Sequence, residues 1–157
     1  MFHIFFYGGT AFDSEAGMDI FKIHTNTRFV FLIIFPLFGV STKDAYSSIN
    51  YKTIGQNVFL TKKLIETLNQ NKPITYQHLH NDFENHIFTL YPELKQIKSR
   101  LIQSGACASF MTGSGSTMIG IFENIDHTKT AQKKLFPTIR CLHVTGTIII
   151  DFSPISL

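Results

Sequence analysis

The stretch SFMTGSGSTMIGIF, Ser109–Phe122, holds the residues whose types and spacing are best suited to chemistry. In a phosphate-holding loop, successive backbone N–H groups converge on the anion, and glycine lets them approach without a Cβ in the way. Gly113 and Gly115 supply that freedom, and Thr112, Ser114, Ser116 and Thr117 add hydroxyl donors. No lysine follows, and TMIGIF downstream reads as a strand rather than a helix. The pattern is therefore neither a Walker loop nor a dinucleotide fingerprint. Two readings stand: a corner between two strands, which is the simpler one for the string in isolation, or a backbone nest for an anion.

Other candidates carry less. His78, His80 and His86 cluster in HLHNDFENH, but the spacing lacks the HExxH pattern and no cysteine accompanies it, so solvated or capping histidines are expected. Asp82 and Glu84 lie two apart at a helix start and point in different directions, so they form no acid–base pair. Ser41 and Thr42 stand at a strand-to-helix junction, where a capping hydroxyl and a ligand-facing hydroxyl are both open. Cys107 and Cys141 sit in apolar stretches outside any CxxC pair and read as buried reduced thiols.

These residues need elements to position them. HIFFY, DIFKIH (Asp19 to His24) and RFVFLIIF (Arg28 to Phe35) read as strands, the last nearly continuous in apolar character. Ser41 or Thr42 opens a short helix. Leu60, Leu64, Ile65 and Leu68 stripe a second, and Phe83, Ile87 and Leu90 a third, with Asn81-Asp82 at its start. YPELKQIKSRLIQSG carries its own punctuation: Pro92 in the first turn, Glu93 against the dipole, Leu94, Ile97 and Leu101 inward, and Gly105 to close in a left-handed conformation. After it the period returns to two. ACASFM and TMIGIF are strands joined by TGSGS, Ala131 and Leu135 face inward from a further helix, and RCLHVTGTIII is a last strand. The order predicts an α+β fold with a largely antiparallel sheet.

Composition excludes several classes. The chain has 157 residues, 44% apolar and 16% charged, which suits one globular core. Fourteen Lys and Arg against 11 Asp and Glu give +3, too mild and too evenly spread for a nucleic-acid partner. The longest apolar run, Phe29 to Val40, falls short of the roughly 20 residues of a membrane-spanning helix and is divided by Pro36. With no basic leader or cleavage site at the amino end, a cytoplasmic protein without membrane contact is expected.

Taken in order, several of these pieces match one known pattern. NDFENHIFTLYPELKQIKSRLIQSGACASFMTGSGSTMIGIF resembles the carboxy-terminal part of the 4-diphosphocytidyl-2-C-methyl-D-erythritol kinases, of the GHMP kinase superfamily. The matches are Asn81, Asp82, Glu84, Pro92, Leu94, Gly105, Ala106, Met111, Gly113, Ser114, Gly115 and Ser116, with Thr112 where the family usually has serine. Upstream, FPLFGVSTKDAY resembles the family's VST segment through Pro36, Val40, Ser41, Thr42 and Tyr46.

The resemblance implies a GHMP-kinase carboxy-terminal domain, ferredoxin-like, with the sheet packed against helices. It implies residues 1–35 as strands from the junction with an amino-terminal domain, 36–150 as the domain itself, and 151–157 as a tail. Thr112, Gly113, Ser114, Gly115, Ser116 and Thr42 become the implied phosphate- or substrate-binding residues. No catalytic residue is implied, because the family's proposed base falls on Met1; no metal ligand is implied either. His3 replaces the family's proline, Met18 follows Gly17 at a degraded G-x-G-E segment, and the glycine-rich nucleotide loop has no counterpart here. The implied function is half of an ATP- and magnesium-dependent kinase acting on a small molecule in the non-mevalonate route to isoprenoids. A separate amino-terminal half is the implied partner, and the isolated chain is expected to be inactive. A non-catalytic phosphate-ligand or docking module, and a degraded gene remnant, are the alternatives.

Overall fold

A computed structural model of the chain describes residues 9–14, 19–47, 49, 55–135 and 142–151. The HIFFY strand, Met1, His3, Gly17, Met18, Cys141 and residues 152–157 lie outside the described residues.

Two antiparallel strands, β1 (Thr10–Ser14) and β2 (Asp19–Ile23), form a small sheet of their own. The larger sheet has four strands: β3 (Arg28–Pro36), β4 (Ala108–Met111), β5 (Met118–Phe122) and β6 (Leu142–Asp151). Their order is β4-β5-β3-β6, every pairing antiparallel. β3 is thus an inner strand, as its nearly unbroken apolar run anticipates, and the sheet reaches back to Arg28. Between Leu32 and Ile34 the register against β6 shifts from Thr147 to Val144, which places one extra residue on β6.

The helices are α1 (Thr42–Ser47), α2 (Val58–Asn69), α3 (Glu84–Leu90), α4 (Pro92–Gln103) and α5 (Ile125–Leu135), with a 3-10 turn at Tyr76–His78. Alternation along β3 sends Leu32 and Ile34 to one face. There they join Met111, Met118 and Phe122 of the neighbouring strands, Ile87 of α3, Leu94, Ile97 and Leu101 of α4, and Ala131 and Leu135 of α5. Each large side chain fully buried in this way contributes about 1.5–3 kcal/mol relative to exposure. Ile23, Phe31, Leu68 and Ile121 are also buried but stand apart from that cluster.

Two anticipated stripes are thinner than their spacing suggests. Leu90 is 54% exposed: it is the last residue of α3, one turn beyond the buried Ile87. On α2 only Leu68 is buried; Leu60, Leu64 and Ile65 are half-covered. Cys107 is a free thiol, and half-buried rather than fully enclosed.

The helix that matters most for positioning is α4. Pro92 occupies its first turn, and Gly105 ends it at φ +100°. Ala106 N–H donates to Leu101 O and Gly105 N–H to Ile102 O, the paired bonds of a Schellman closure. The chain leaves that closure directly into β4, with Cys107 N–H on Ile121 O at 2.8 Å. On the opposing strand, a Cβ at Gly120 would lie 2.9 Å from Leu101 Cδ2, so α4 packs close on the sheet through that glycine.

Candidate anion site

Met111 and Met118 pair across β4 and β5, so Thr112–Thr117 is the connection of a hairpin. Thr112 N–H donates to Thr117 O at 2.9 Å and Gly115 N–H to Thr112 O at 3.0 Å. Gly113 (φ +51°) and Gly115 (φ +94°) both take the left-handed conformation. At Gly115 a Cβ would stand 2.8 Å from Met111 Sδ, so both backbone and space require glycine there. The corner expected from the string is present, and it leaves something over. Among the described residues, no acceptor meets the N–H groups of Gly113, Ser114 or Ser116. Three donors in four residues are available to an anion.

The hydroxyls differ from one another. Ser116 Oγ donates to Phe38 O at 2.6 Å, which ties the loop to the segment after β3. Ser114 Oγ lies 3.2 Å from Thr42 Oγ1, and both are solvent-accessible. Ser41 caps α1: its carbonyl accepts from Ala45 N–H at 2.8 Å and its hydroxyl from Asp44 N–H at 3.3 Å. The two hydroxyls left open by the sequence thus divide, with Ser41 capping and Thr42 turned to the loop. All six anticipated residues, Thr112 to Ser116 and Thr42, fall within this one locality.

Behind the loop runs a bracket that the residue types alone did not reveal. Asn81 Nδ2 donates to Met111 O at 2.7 Å and to Gly113 O at 2.8 Å, while its Oδ1 accepts from Phe83 N–H at 3.0 Å. Glu84, buried at 9% exposure, accepts from Met111 N–H at 2.7 Å through Oε1 and receives Lys98 Nζ on Oε2. Asp82 turns the other way, accepting from Gly55 N–H at 2.9 Å and Asn57 Nδ2 at 3.1 Å. The two acids do diverge, and neither is poised for proton transfer.

A cleft of about 660 Å³ opens beside the loop. Its polar lining is Thr112, Gly113, His80, Asn81 and Asp82, and Tyr46, Phe83 and Phe110 form its aromatic wall. Tyr46 and Phe83 meet edge to face, with centroids 5.0 Å apart. Such a wall suits the flat, apolar face of a ligand whose charged end reaches the loop. Among the described residues no group of three His, Cys, Asp or Glu side chains could hold a metal ion; the histidines of HLHNDFENH are half-buried rather than solvated, and His80 Nδ1 lies 3.2 Å from His78 O. The pKa that departs clearly among the described residues is that of Tyr76. Burial first, then Cys107 beside it and Glu123, hold its phenol above the usual range. Cys107 precedes β4, at the end of that strand away from the loop.

Comparison with known proteins places this geometry in context. Residues 61–137 match the family model described as GHMP kinases C terminal. The 4-diphosphocytidyl-2-C-methyl-D-erythritol kinase of Clostridium tetani (strain Massachusetts / E88) is 31% identical over 143 residues, 90% of this chain and 51% of its own length. The enzyme of that name from Clostridium botulinum (strain Langeland / NCTC 10281 / Type F) is 30% identical over 138 residues, 83% of this chain and 49% of its own. A crystal structure of 4-(cytidine 5'-diphospho)-2C-methyl-D-erythritol kinase superposes with a TM-score of 0.70 at 24% identity, over 92% of this chain and 51% of that one. A crystal structure of L. major mevalonate kinase in complex with R-mevalonate gives 0.61 at 16% identity, over 88% and 47%. The chain spans about half the length of the curated relatives it matches. No helix among the described residues is long and apolar enough to cross a membrane.

Proposed function

The chain belongs to the GHMP kinases through a carboxy-terminal domain at residues 61–137, and from that premise we propose that it supplies one half of a kinase for 4-diphosphocytidyl-2-C-methyl-D-erythritol. ATP with magnesium is the proposed phosphoryl donor, and the reaction belongs to the non-mevalonate route to isoprenoid precursors. Phosphoryl transfer rests on positioning a nucleotide, neutralising its phosphates and orienting the acceptor hydroxyl.

This chain's share of that work is positioning. The N–H groups of Gly113, Ser114 and Ser116, with the hydroxyls of Ser114 and Thr42, fit phosphate oxygens as donors. The cleft lined by Tyr46, Phe83 and Phe110 accepts the remainder of the substrate. The family resemblance puts a general base and a glycine-rich nucleotide loop in the half of the relatives that this match does not span. We therefore place the catalytic groups there, with a cytoplasmic setting for both halves, and the 157 residues alone turn over no substrate. In this reading the sheet-bearing unit begins at Arg28, where β3 starts.

The observation that carries the proposal is the loop: three N–H groups that meet no acceptor among the described residues, on a glycine-shaped corner whose Thr112 and Gly113 line an aromatic cleft. Titrating the isotopically labelled chain with 4-diphosphocytidyl-2-C-methyl-D-erythritol, then with ATP, tests it by NMR. Shifts centred on the amides of Gly113, Ser114 and Ser116 are expected. Ligand-independent amide positions there, at millimolar ligand, would overturn the reading of this loop as a phosphate site.

A further inference from the structure

We propose that Asn81 and Glu84 are positioning residues of the Thr112–Ser116 loop: Asn81 holds the carbonyls of Met111 and Gly113, and Glu84 anchors the Met111 N–H at the loop's entry, so that the loop's N–H groups face the anion. The inference rests on the phosphate reading of the loop and goes beyond it. It assigns a positioning role to Asn81, which also lines the cleft, and to Glu84, which does not.

An anion loop has an intrinsic difficulty. Every peptide unit that offers an N–H also carries a carbonyl, and a carbonyl turned inward repels the ligand as strongly as the N–H attracts it. The loop must therefore be pinned by its carbonyls from behind. Asn81 does this at two points, donating from one Nδ2 to Met111 O at 2.7 Å and Gly113 O at 2.8 Å. The orientation of the amide is unambiguous, because two carbonyls require the NH₂ group and the Phe83 N–H requires the oxygen. Glu84 adds a third point, its Oε1 taking the Met111 N–H at 2.7 Å. Lys98 holds the other oxygen of that carboxylate, so the acceptor is charged and fixed.

Between them, Asn81 and Glu84 bond the N–H and C=O of Met111 and the C=O of Gly113. The N–H groups of Gly113, Ser114 and Ser116 are left to the ligand. Asn81 also serves α3, through Phe83 N–H, and the two duties separate in one substitution. Asn81→Asp keeps an oxygen for Phe83 N–H, and aspartate caps helices well. It removes both donors to the loop and sets a carboxylate against two carbonyl oxygens.

The test uses the full chain and inorganic pyrophosphate as the probe. Wild type, Asn81→Asp, Glu84→Ala and Glu84→Gln are compared by amide hydrogen exchange of Met111–Thr117 and by NMR titration. Asn81→Asp is expected to weaken pyrophosphate binding about tenfold or more, with faster exchange confined to the loop and far-UV circular dichroism unchanged. Glu84→Gln, which keeps an acceptor for Met111 N–H, should recover part of what Glu84→Ala loses. If wild type binds and Asn81→Asp binds equally well, the inference is overturned and Asn81 is a cap alone. If wild type binds no pyrophosphate, the phosphate reading fails. Loop exchange then decides the inference by itself: protection lost in Asn81→Asp sustains the positioning role, and protection retained refutes it. Should Asn81→Asp fail to fold, Glu84→Gln against Glu84→Ala carries the same comparison.

Discussion

At the residue scale, two glycines in one loop make contrasting demands. Gly113 and Gly115 both have positive φ, but a Cβ at Gly113 meets nothing within 4 Å, whereas at Gly115 it meets Met111 Sδ at 2.8 Å. Gly113→Ala is therefore expected to cost about 1 kcal/mol from backbone strain. Gly115→Ala adds a steric term and should cost roughly 2–3 kcal/mol. Denaturant melts of the two variants check the ranking, and equal losses would show that the loop relaxes around the added methyl. These glycines were visible in the sequence because a left-handed corner restricts residue type locally. Asn81 was legible as a helix start and Glu84 as an unpaired acid, but their bonds to the loop were not. Their partners lie 27 to 32 residues away, a pairing that no local period encodes.

At the element scale, α4 governs where the loop sits. Its Schellman closure at Gly105 delivers the chain into β4, and its inner face, Leu94, Ile97 and Leu101, seats on the sheet beside Gly120. Leu101→Ala should cost about 2–5 kcal/mol, the range for emptying a fully buried leucine site. Leu90→Ala, at the exposed end of α3, should stay within about 0.5 kcal/mol. Thermal melts of the pair check this, and similar losses would mean that α3 packs more deeply than its exposure indicates. Most of this level could be read beforehand. Pro92, Glu93 and Gly105 bracket α4, and β3, β4, β5 and β6 follow the apolar runs that announced them. Leu90 could not, because helical spacing records which face a residue occupies and not how far the core extends along the axis.

At the scale of the whole molecule, the antiparallel order β4-β5-β3-β6 brings the ends of distant segments to one place. Ser116 reaches Phe38 across 78 residues and Ser114 reaches Thr42 across 72, so the loop is assembled from opposite parts of the chain. The α+β class was legible from the order of periods, but the strand order was not, since apolar strands of similar composition pair in several ways. The resemblance carried the topology that periodicity left open.

The proposed function makes this chain one half of a kinase site whose nucleotide loop and base come from the other half. Its most direct test is transfer of the γ-phosphate of ATP to 4-diphosphocytidyl-2-C-methyl-D-erythritol. The chain is assayed alone and then mixed with the amino-terminal half of the Clostridium tetani relative. No turnover alone and measurable turnover from the mixture is the result expected. Robust turnover by the 157 residues alone, or none from a mixture shown to form a stable complex, would contradict it.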